Sequence, residues 1–173
     1  LILDPSKFTT RLLSKKLQDF DCIVKAENKS KNAALAAKKN KPDVILLELS
    51  YSNPSGFEIC SLLTRASETS EVPILIHSNR STRRDVLRSL KAGATNFIVK
   101  PASTETIVRK INESMVKCGK EELFDIEVES ETEGGQAKIS IASKKASPEE
   151  KKKSRTDITF TSDMDSETKV DLL

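Results

Sequence analysis

The chain has 173 residues and a formal net charge of +3, which suits one ordinary domain and an appendage. Its three separated cysteines and single histidine argue against a structural zinc site and suit a reducing compartment. No apolar run is long enough to span a membrane and no signal peptide is visible, so we expect a cytoplasmic protein without a membrane partner.

Charge divides the chain near residue 117. Residues 1–117 carry 20 basic and 12 acidic side chains, whereas residues 118–173 carry nine basic and 14 acidic ones. We therefore predict a domain in residues 1–117, followed in residues 118–173 by a charged linker that can hold a β-hairpin and can begin an output domain. Because the chain lacks an initiator Met and opens on an apolar strand, we also expect a fragment of a longer protein.

The chain begins with an apolar strand and an amphipathic helix. Residues 1–3 form the strand, which ends in Asp4, and the Pro5-Ser6 pair that follows suits a helix start. The helix is predicted over residues 7–18, because apolar residues recur there at helical spacing. These residues are Phe8, Leu12, Leu13 and Leu17.

A second strand and helix precede the most apolar strand of the chain. Residues 22–24 predict the second strand, and an alanine-rich stretch at residues 33–37 predicts the second helix. The unbroken apolar run at residues 44–47 indicates a strand buried on both faces, as in a parallel sheet. It ends in Glu48, and a turn of Ser, Asn, Pro and Gly follows at once.

Another helix and strand follow this turn. Residues 57–63 predict the third helix, and residues 72–76 predict a strand that runs on into His77 and Ser78. Strand alternation places His77 on the opposite face from Ser78. A hydrogen-bonded core histidine is therefore a simpler interpretation of His77 than a catalytic one.

A fourth helix, a fifth strand and a fifth helix complete the unit. Residues 97–99 form the strand, which precedes Lys100, and residues 104–115 form the last helix. The fourth helix is predicted to end near Gly93. Its inward face is predicted to comprise Val86, Leu87 and Leu90.

The alternation of five strands with five helices predicts an α/β fold with a doubly wound, five-stranded parallel sheet. Right-handed crossovers favour the flavodoxin-like strand order 2-1-3-4-5. This order brings the carboxyl ends of strands one, three, four and five to one edge. The side chains at these ends are Asp4, Glu48, Ser78 and Lys100.

This set of side chains suits phosphoryl transfer. A central carboxylate would accept the phosphoryl group, a hydroxyl and a lysine would bind its oxygens, and a second acidic group would hold Mg²⁺. Residues 1–117, about two-thirds of the chain, resemble the receiver domain of two-component response regulators. The matching segments are ILDPSKF (2–8), PDVILLELS (42–50), SG (55–56), VPILIHSN (72–79) and KAGATNFIVKP (91–101).

Two departures from the family pattern fall at this site. The resemblance implies an Asp acceptor where the chain has Glu48, and a metal-binding carboxylate where it has Pro5. Ser78 and Lys100 fit the pattern. The longer Glu48 side chain moves its oxygens by roughly an ångström, and errors of that size can cost about 10²-fold in rate. Without a carboxylate at Pro5, Asp4 is expected to bind metal weakly or not at all.

We therefore predict a degenerate receiver (pseudo-receiver) without catalytic activity or a cofactor, in which Glu48 and Lys100 form a structural pair. A glutamate that mimics the phosphorylated state is the less favoured interpretation of this pair. The alternative function is a phosphorylatable receiver that acts in a phosphorelay and needs Mg²⁺. Tyr51, which follows Glu48 closely, could cover the site or lie on the surface.

A partner surface is predicted on the fourth helix, where Arg84, Arg88 and Lys91 share one stripe. The resemblance implies that this helix, the fifth strand with Phe97 and the fifth helix contact partners. A solvated basic face is the alternative. We predict a signalling protein or a fused output domain as the partner. Nucleic acid is not predicted, since no helix-turn-helix pattern is visible, and the oligomeric state stays open.

The segment after residue 117 alternates again. Residues 123–128 and 137–141 flank the turn-rich sequence SETEGGQ, which predicts a hairpin. Residues 143–156 are charged and almost free of large apolar side chains, as is typical of linkers. Residues 158–161 alternate once more and can begin an output domain.

The residues from 121 to 133 include seven acidic side chains and no basic one. One hypothesis is that this acidic segment lies over the basic stripe of the fourth helix, because exposed opposite charges attract by about 0.2–1 kcal/mol per pair. The alternative, which we favour slightly, is a free hairpin or linker that makes no contact with the receiver-like domain.

Overall fold

The computed structural model of the chain describes residues 1–132, 136–144 and 156–159. Residues 1–117 alternate between five strands and five helices. The strands are β1 (Ile2–Leu3), β2 (Ala26–Glu27), β3 (Ile45–Leu47), β4 (Ile74–Ser78) and β5 (Asn96–Val99). The helices are α1 (Lys7–Gln18), α2 (Ala33–Asn40), α3 (Gly56–Arg65), α4 (Arg83–Lys91) and α5 (Thr104–Lys117). A 3-10 turn at Ser30–Asn32 precedes α2.

The five strands form one parallel sheet in the order β2-β1-β3-β4-β5, which confirms the predicted doubly wound fold. One apolar cluster packs this sheet against α2 and α3, and a second packs it against α1 and α5. Central strand β3 contributes to both clusters, with Ile45 and Leu47 on one face and Leu46 on the other. The unbroken apolar run that predicted this strand is thus explained by burial on both faces.

The second strand lies later than predicted. Residues 22–24 were expected to pair, but Ile2 and Leu3 of β1 instead align with Ala26 and Glu27. Ile23 is 89% exposed, whereas Phe20, just after α1, is buried in the second cluster. The prediction was wrong because register with β1, rather than local apolarity, fixes which residues form the edge strand.

Helix α4 is rotated relative to the prediction. Leu87 and Leu90, expected to face inward, are 49% and 47% exposed, and Val86 is half-buried. The fully buried residue of α4 is Ser89, whose hydroxyl donates to the carbonyl of Asp85. Helix α4 therefore buries Ser89 and leaves the two leucines half-exposed. Helix α1 likewise leaves its predicted apolar residues Phe8 and Leu12 exposed.

The predicted hairpin is present and belongs to a second sheet. Strands β6 (Phe124–Thr132), β7 (Gln136–Ser143) and β8 (Thr156–Thr159) pair antiparallel in the order β6-β7-β8. Strand β8 covers the first part of the third alternating segment. Residues 160–161 and most of the predicted linker lie outside the described residues.

The hairpin packs against the α1–α5 layer. Phe124 is 1% exposed and meets Phe20 edge to face, with 6.3 Å between ring centroids. Ile141 of β7 is buried in the same cluster. Helix α4 lies on the other side of the parallel sheet, since Ala92 at its end packs in the first cluster. This arrangement differs from the hypothesis that the acidic segment covers the basic stripe of α4. It also differs from the favoured alternative of a free hairpin, because Phe124 and Ile141 pack in the second cluster.

Across the described ranges, no helix combines the length and apolarity needed to cross a membrane.

Candidate functional site

The predicted site residues meet at the carboxyl edge of the parallel sheet. Asp4 follows β1, Glu48 follows β3, Ser78 ends β4 and Lys100 follows β5. Parallel pairing of neighbouring strands brings these ends side by side. Gly56 lets α3 start against the end of β3, because an added Cβ would lie 2.6 Å from the Glu48 carbonyl oxygen.

The Glu48 carboxylate is buried, and both of its oxygens accept hydrogen bonds. Its Oε1 accepts from the Ser78 hydroxyl at 2.5 Å and from the backbone N–H groups of Leu49 and Ser50 at 2.7 and 3.0 Å. Its Oε2 accepts from Lys100 Nζ at 2.5 Å. Oε1 therefore has three donors and Oε2 has one, so all but one of the hydrogen bonds fall on the same carboxylate oxygen.

Lys100 links the two acidic groups of the site. Its Nζ donates to Asp4 Oδ2 at 2.6 Å as well as to Glu48. The other oxygen of Asp4, Oδ1, accepts from the backbone N–H of Ser6 at 2.7 Å. One ammonium group therefore lies between two buried carboxylates, and the three side chains together keep one net negative charge.

Glu48 is ionised in this environment. Burial raises the pKa of its carboxyl group, but the hydrogen bonds from Lys100 and Ser78 and the positive charge of Lys100 outweigh burial. The resulting pKa lies below the usual range of a glutamate. The acceptor position thus carries a negative charge at neutral pH without any modification.

Two residues beside the site, His77 and Tyr51, are buried. His77 is buried, and burial foremost, together with the charge of Lys100, lowers its pKa to about 4. It is therefore neutral at pH 7. Tyr51 is also buried, and its hydroxyl donates to the Glu27 carbonyl at 2.9 Å. Tyr51 therefore ties the turn after Glu48 to the end of β2 rather than lying on the surface.

The residues of the site do not fit Mg²⁺. Pro5 supplies no carboxylate, both Asp4 oxygens already accept hydrogen bonds, and Glu48 has four donors. Mg²⁺ requires near-octahedral oxygen ligation. Within the described part of the chain, no group of three or more His, Cys, Asp or Glu side chains is arranged to hold a metal ion.

Two further residues support the site without any sequence signal. The Asn28 amide group donates to the Asp4 carbonyl at 2.7 Å and to the Thr10 hydroxyl at 3.3 Å, which joins β2 and α1 to the end of β1. The backbone N–H of Arg80 donates to the Ser78 hydroxyl at 3.1 Å. Neither residue belongs to a motif, because both contacts depend on the tertiary fold.

The loop after Ser78 also contacts α4. The Arg80 guanidinium bonds the Asp85 carboxylate at 2.9 Å and lies 5.5 Å from the ring centroid of Phe57. The Arg88 guanidinium lies on the same ring at 4.1 Å. Phe57 of α3 therefore holds two cations, one from the site loop and one from α4.

The other predicted partner residues differ in their surroundings. Arg84 and Lys91 are exposed and make no salt bridge within the described residues. Phe97 is half-buried and packs against the first apolar cluster. The structure thus leaves Arg84 and Lys91 beside the exposed Leu87 and Leu90 on the outer surface of α4.

Comparisons with known proteins point to one family. The model of the response regulator receiver domain matches residues 1–112. Protein PilH of Pseudomonas aeruginosa is 33% identical over 90 residues, which cover 52% of this chain and 74% of PilH. The phosphate regulon transcriptional regulatory protein PhoB of Rhizobium meliloti is 29% identical over 107 residues, which cover 58% of this chain and 47% of PhoB.

A solved structure of the chemotaxis protein CheY4 of Vibrio cholerae is similar with a TM-score of 0.62 and 25% identity, over 65% of this chain and 94% of that one. A Burkholderia pseudomallei response regulator solved with a phosphorylated aspartic acid, a calcium ion and citrate shares the fold, with a TM-score of 0.60 and 22% identity over 68% of this chain and 69% of that one. The chain spans about half the length of PhoB.

Proposed function

The chain belongs to the response regulator receiver family, and from this premise we propose that it is a degenerate receiver that binds a signalling partner without a phosphorylation switch. One observation carries the proposal. The Glu48 carboxylate accepts hydrogen bonds from both Ser78 and Lys100, the two groups suited to bind the oxygens of a phosphoryl group.

Phosphoryl transfer to Glu48 would have to break this arrangement. Ser78 and Lys100 would exchange their hydrogen bonds to Glu48 for hydrogen bonds to phosphoryl oxygens. The metal that neutralises phosphoryl oxygens in such reactions lacks a ligand at Pro5. Glu48 supplies one charge where a phosphate would supply about 1.5–2, so we favour a structural pair over a mimic of phosphorylation.

The surface of α4 is the proposed partner site. It combines the basic stripe of Arg84, Arg88 and Lys91 with the exposed Leu87 and Leu90. Such a mixture of apolar and cationic groups suits a partner that presents apolar side chains among acidic ones. The partner is a separate signalling protein in the cytoplasm or an output domain of the same protein.

Exposure to a phosphodonor tests the proposal. We expect the unmodified chain, incubated with acetyl phosphate and Mg²⁺, to show no phosphoryl adduct by intact mass spectrometry. Glu48→Asp alone should also stay unmodified, because Pro5 still supplies no metal ligand. Glu48→Asp combined with Pro5→Asp should acquire the adduct.

Circular dichroism would check that each variant is folded. A base-labile adduct on the unmodified chain, mapped to Glu48, would show that the site is phosphorylatable and would contradict the proposal.

A further inference from the structure

Strand β6 is an edge strand whose first outward-facing position is capped by a side chain. Phe124 pairs with Ser143, and the N–H of Lys144 donates to the Leu123 carbonyl at 2.8 Å. In an antiparallel ladder this bond directs the N–H and C=O of Phe124 away from β7. Asn112 of α5 binds both groups, donating to the Phe124 carbonyl at 2.8 Å and accepting from its N–H at 3.1 Å.

Beyond this cap, the edge continues with no partner strand among the residues that the structure describes. Outward-facing positions recur at every second residue, so the next one after Phe124 is Ile126, which pairs with Ile141 across the ladder. Within the described residues, the backbone N–H and C=O of Ile126 make no hydrogen bond, and no strand lies beside β6 on that side. Such a row of backbone groups is a template for an added strand.

The charged residues of β6 determine which kind of strand could pair with its open edge. Its acidic residues occupy alternate positions, and it contains no basic residue. Asp125, Glu127 and Glu129 lie in the regular part of the ladder with β7, and Glu131 lies in the irregularity between Glu129 and Thr132. Asp125 also forms an ion pair with Lys144 at 3.6 Å. Like charges directly opposite each other destabilise a strand pair, so a second copy of β6 is disfavoured as a partner. A strand with basic residues at alternate positions would instead place opposite charges across the new ladder.

We propose that the open edge of β6 binds an extended segment of a partner protein as a fourth strand of the β6-β7-β8 sheet. Basic and apolar residues alternate in this segment. Main-chain hydrogen bonds at Ile126 and Val128, which precede the irregularity between Glu129 and Thr132, supply the binding, and the acidic positions select the charge of the segment. This site is separate from the surface of α4 and does not depend on the phosphorylation state of Glu48.

To test the proposal, the full chain is titrated with a short synthetic peptide of alternating lysine and valine, and the titration is monitored by NMR. We expect the amide signal of Ile126 to shift on titration and its hydrogen exchange to slow by about tenfold, as one added hydrogen bond implies. The matched probe is the same peptide N-methylated at the residues that face β6. It keeps the charges but lacks the donors, and we expect it not to bind.

Paired variants test the choice of charge. Glu127→Lys should weaken binding of the lysine-valine peptide by about fivefold, since an exposed cross-strand charge pair contributes up to about 1 kcal/mol. Glu71→Lys makes the same charge change in the exposed loop after α3 and should leave binding unchanged. A peptide of alternating glutamate and valine should not bind.

Three results would overturn the proposal. The first is equal binding of the N-methylated peptide, which would reveal charge attraction alone. The second is the absence of a shift at Ile126 when the lysine-valine peptide is added. The third is self-association of the full chain through β6 in sedimentation experiments, which would make a second copy the occupant of the edge.

Discussion

The carboxyl edge of the parallel sheet, here called the acceptor edge, and the surface of α4 both carry charged side chains. The two regions differ in the burial and pairing of these charges. At the acceptor edge, where Asp4, Glu48 and Lys100 follow the ends of their strands, the Lys100 ammonium group donates to both carboxylates, and all three side chains are largely buried. On α4, Arg84 and Lys91 are exposed and make no salt bridge within the described residues.

This difference separates stability from binding. A buried charge is costly unless it is paired, so the groups at the acceptor edge depend on one another. An exposed charge is solvated by water and stays available to a partner. We therefore expect the loss of one group at the acceptor edge to destabilise the fold. On the proposed partner surface of α4, we expect the loss of a charge to leave the stability of the domain nearly unchanged.

The largest expected effect comes from removing the shared cation. Lys100→Met should leave two buried carboxylates without a counter-charge and lower the free energy of unfolding by about 3–5 kcal/mol. Lys91→Met, the matched change on α4, should alter it by less than about 0.5 kcal/mol. Urea denaturation at pH 7 measures both values. Equal effects of the two substitutions would remove the distinction between the two regions.

A smaller effect on the free energy of unfolding is expected when the pH is lowered, because His77 lies beside the acceptor edge. The pKa of His77 is about 4 in the folded chain and 6.5 ordinarily, so the unfolded state binds more protons between these values. This contribution to stability is complete above pH 6.5 and is lost as the pH falls towards 4, by about 3 kcal/mol in total.

His77 is the only histidine in the sequence, so the histidine ring signals in an NMR spectrum report its titration directly. They should titrate with a midpoint near pH 4, and His77→Gln should flatten the dependence of unfolding free energy on pH between 6.5 and 4. A midpoint near 6.5 would show that His77 is solvated and does not share the buried environment of the site.

The smallest effect on stability is expected on α4. Leu87→Ala and Leu90→Ala should each change the free energy of unfolding by less than about 0.5 kcal/mol, because both side chains are half-exposed. Leu46→Ala, in the core, should cost about 2–5 kcal/mol. Thermal or urea unfolding of the three variants compares them. A large loss from Leu87→Ala would mean that α4 is held by its leucines.

The fold was predictable because its main signals are local. Apolar runs bounded by turn residues identified the strands, and the strand order follows from parallel crossovers. The position of β2 was not predictable, because Ala26 and Glu27 carry no strand signal. They form a strand only because they pair with β1. The rotation of α4 was also missed, because Leu87 and Leu90 fit a helical period as well as the buried Ser89 does.

Some residues of the site were also predictable from the sequence, and others were not. Glu48, Ser78 and Lys100 could be named from the sequence, because each stands at the end of an apolar strand. Asn28 and Arg80 could not, because their contacts depend on side-chain positions in the folded chain. The cap that Asn112 places on Phe124 was missed for the same reason.

The occupation of the acceptor site by Glu48 is tested most directly by titrating the chain with Mg²⁺ and beryllofluoride, an analogue of the phosphoryl group. The backbone N–H groups of Leu49 and Ser50, which donate to Glu48, report on the site by NMR. We expect no saturable shift of their signals in the unmodified chain, and a clear one after Glu48→Asp with Pro5→Asp. A saturable shift in the unmodified chain would show that the site still accepts a metal and a phosphoryl group.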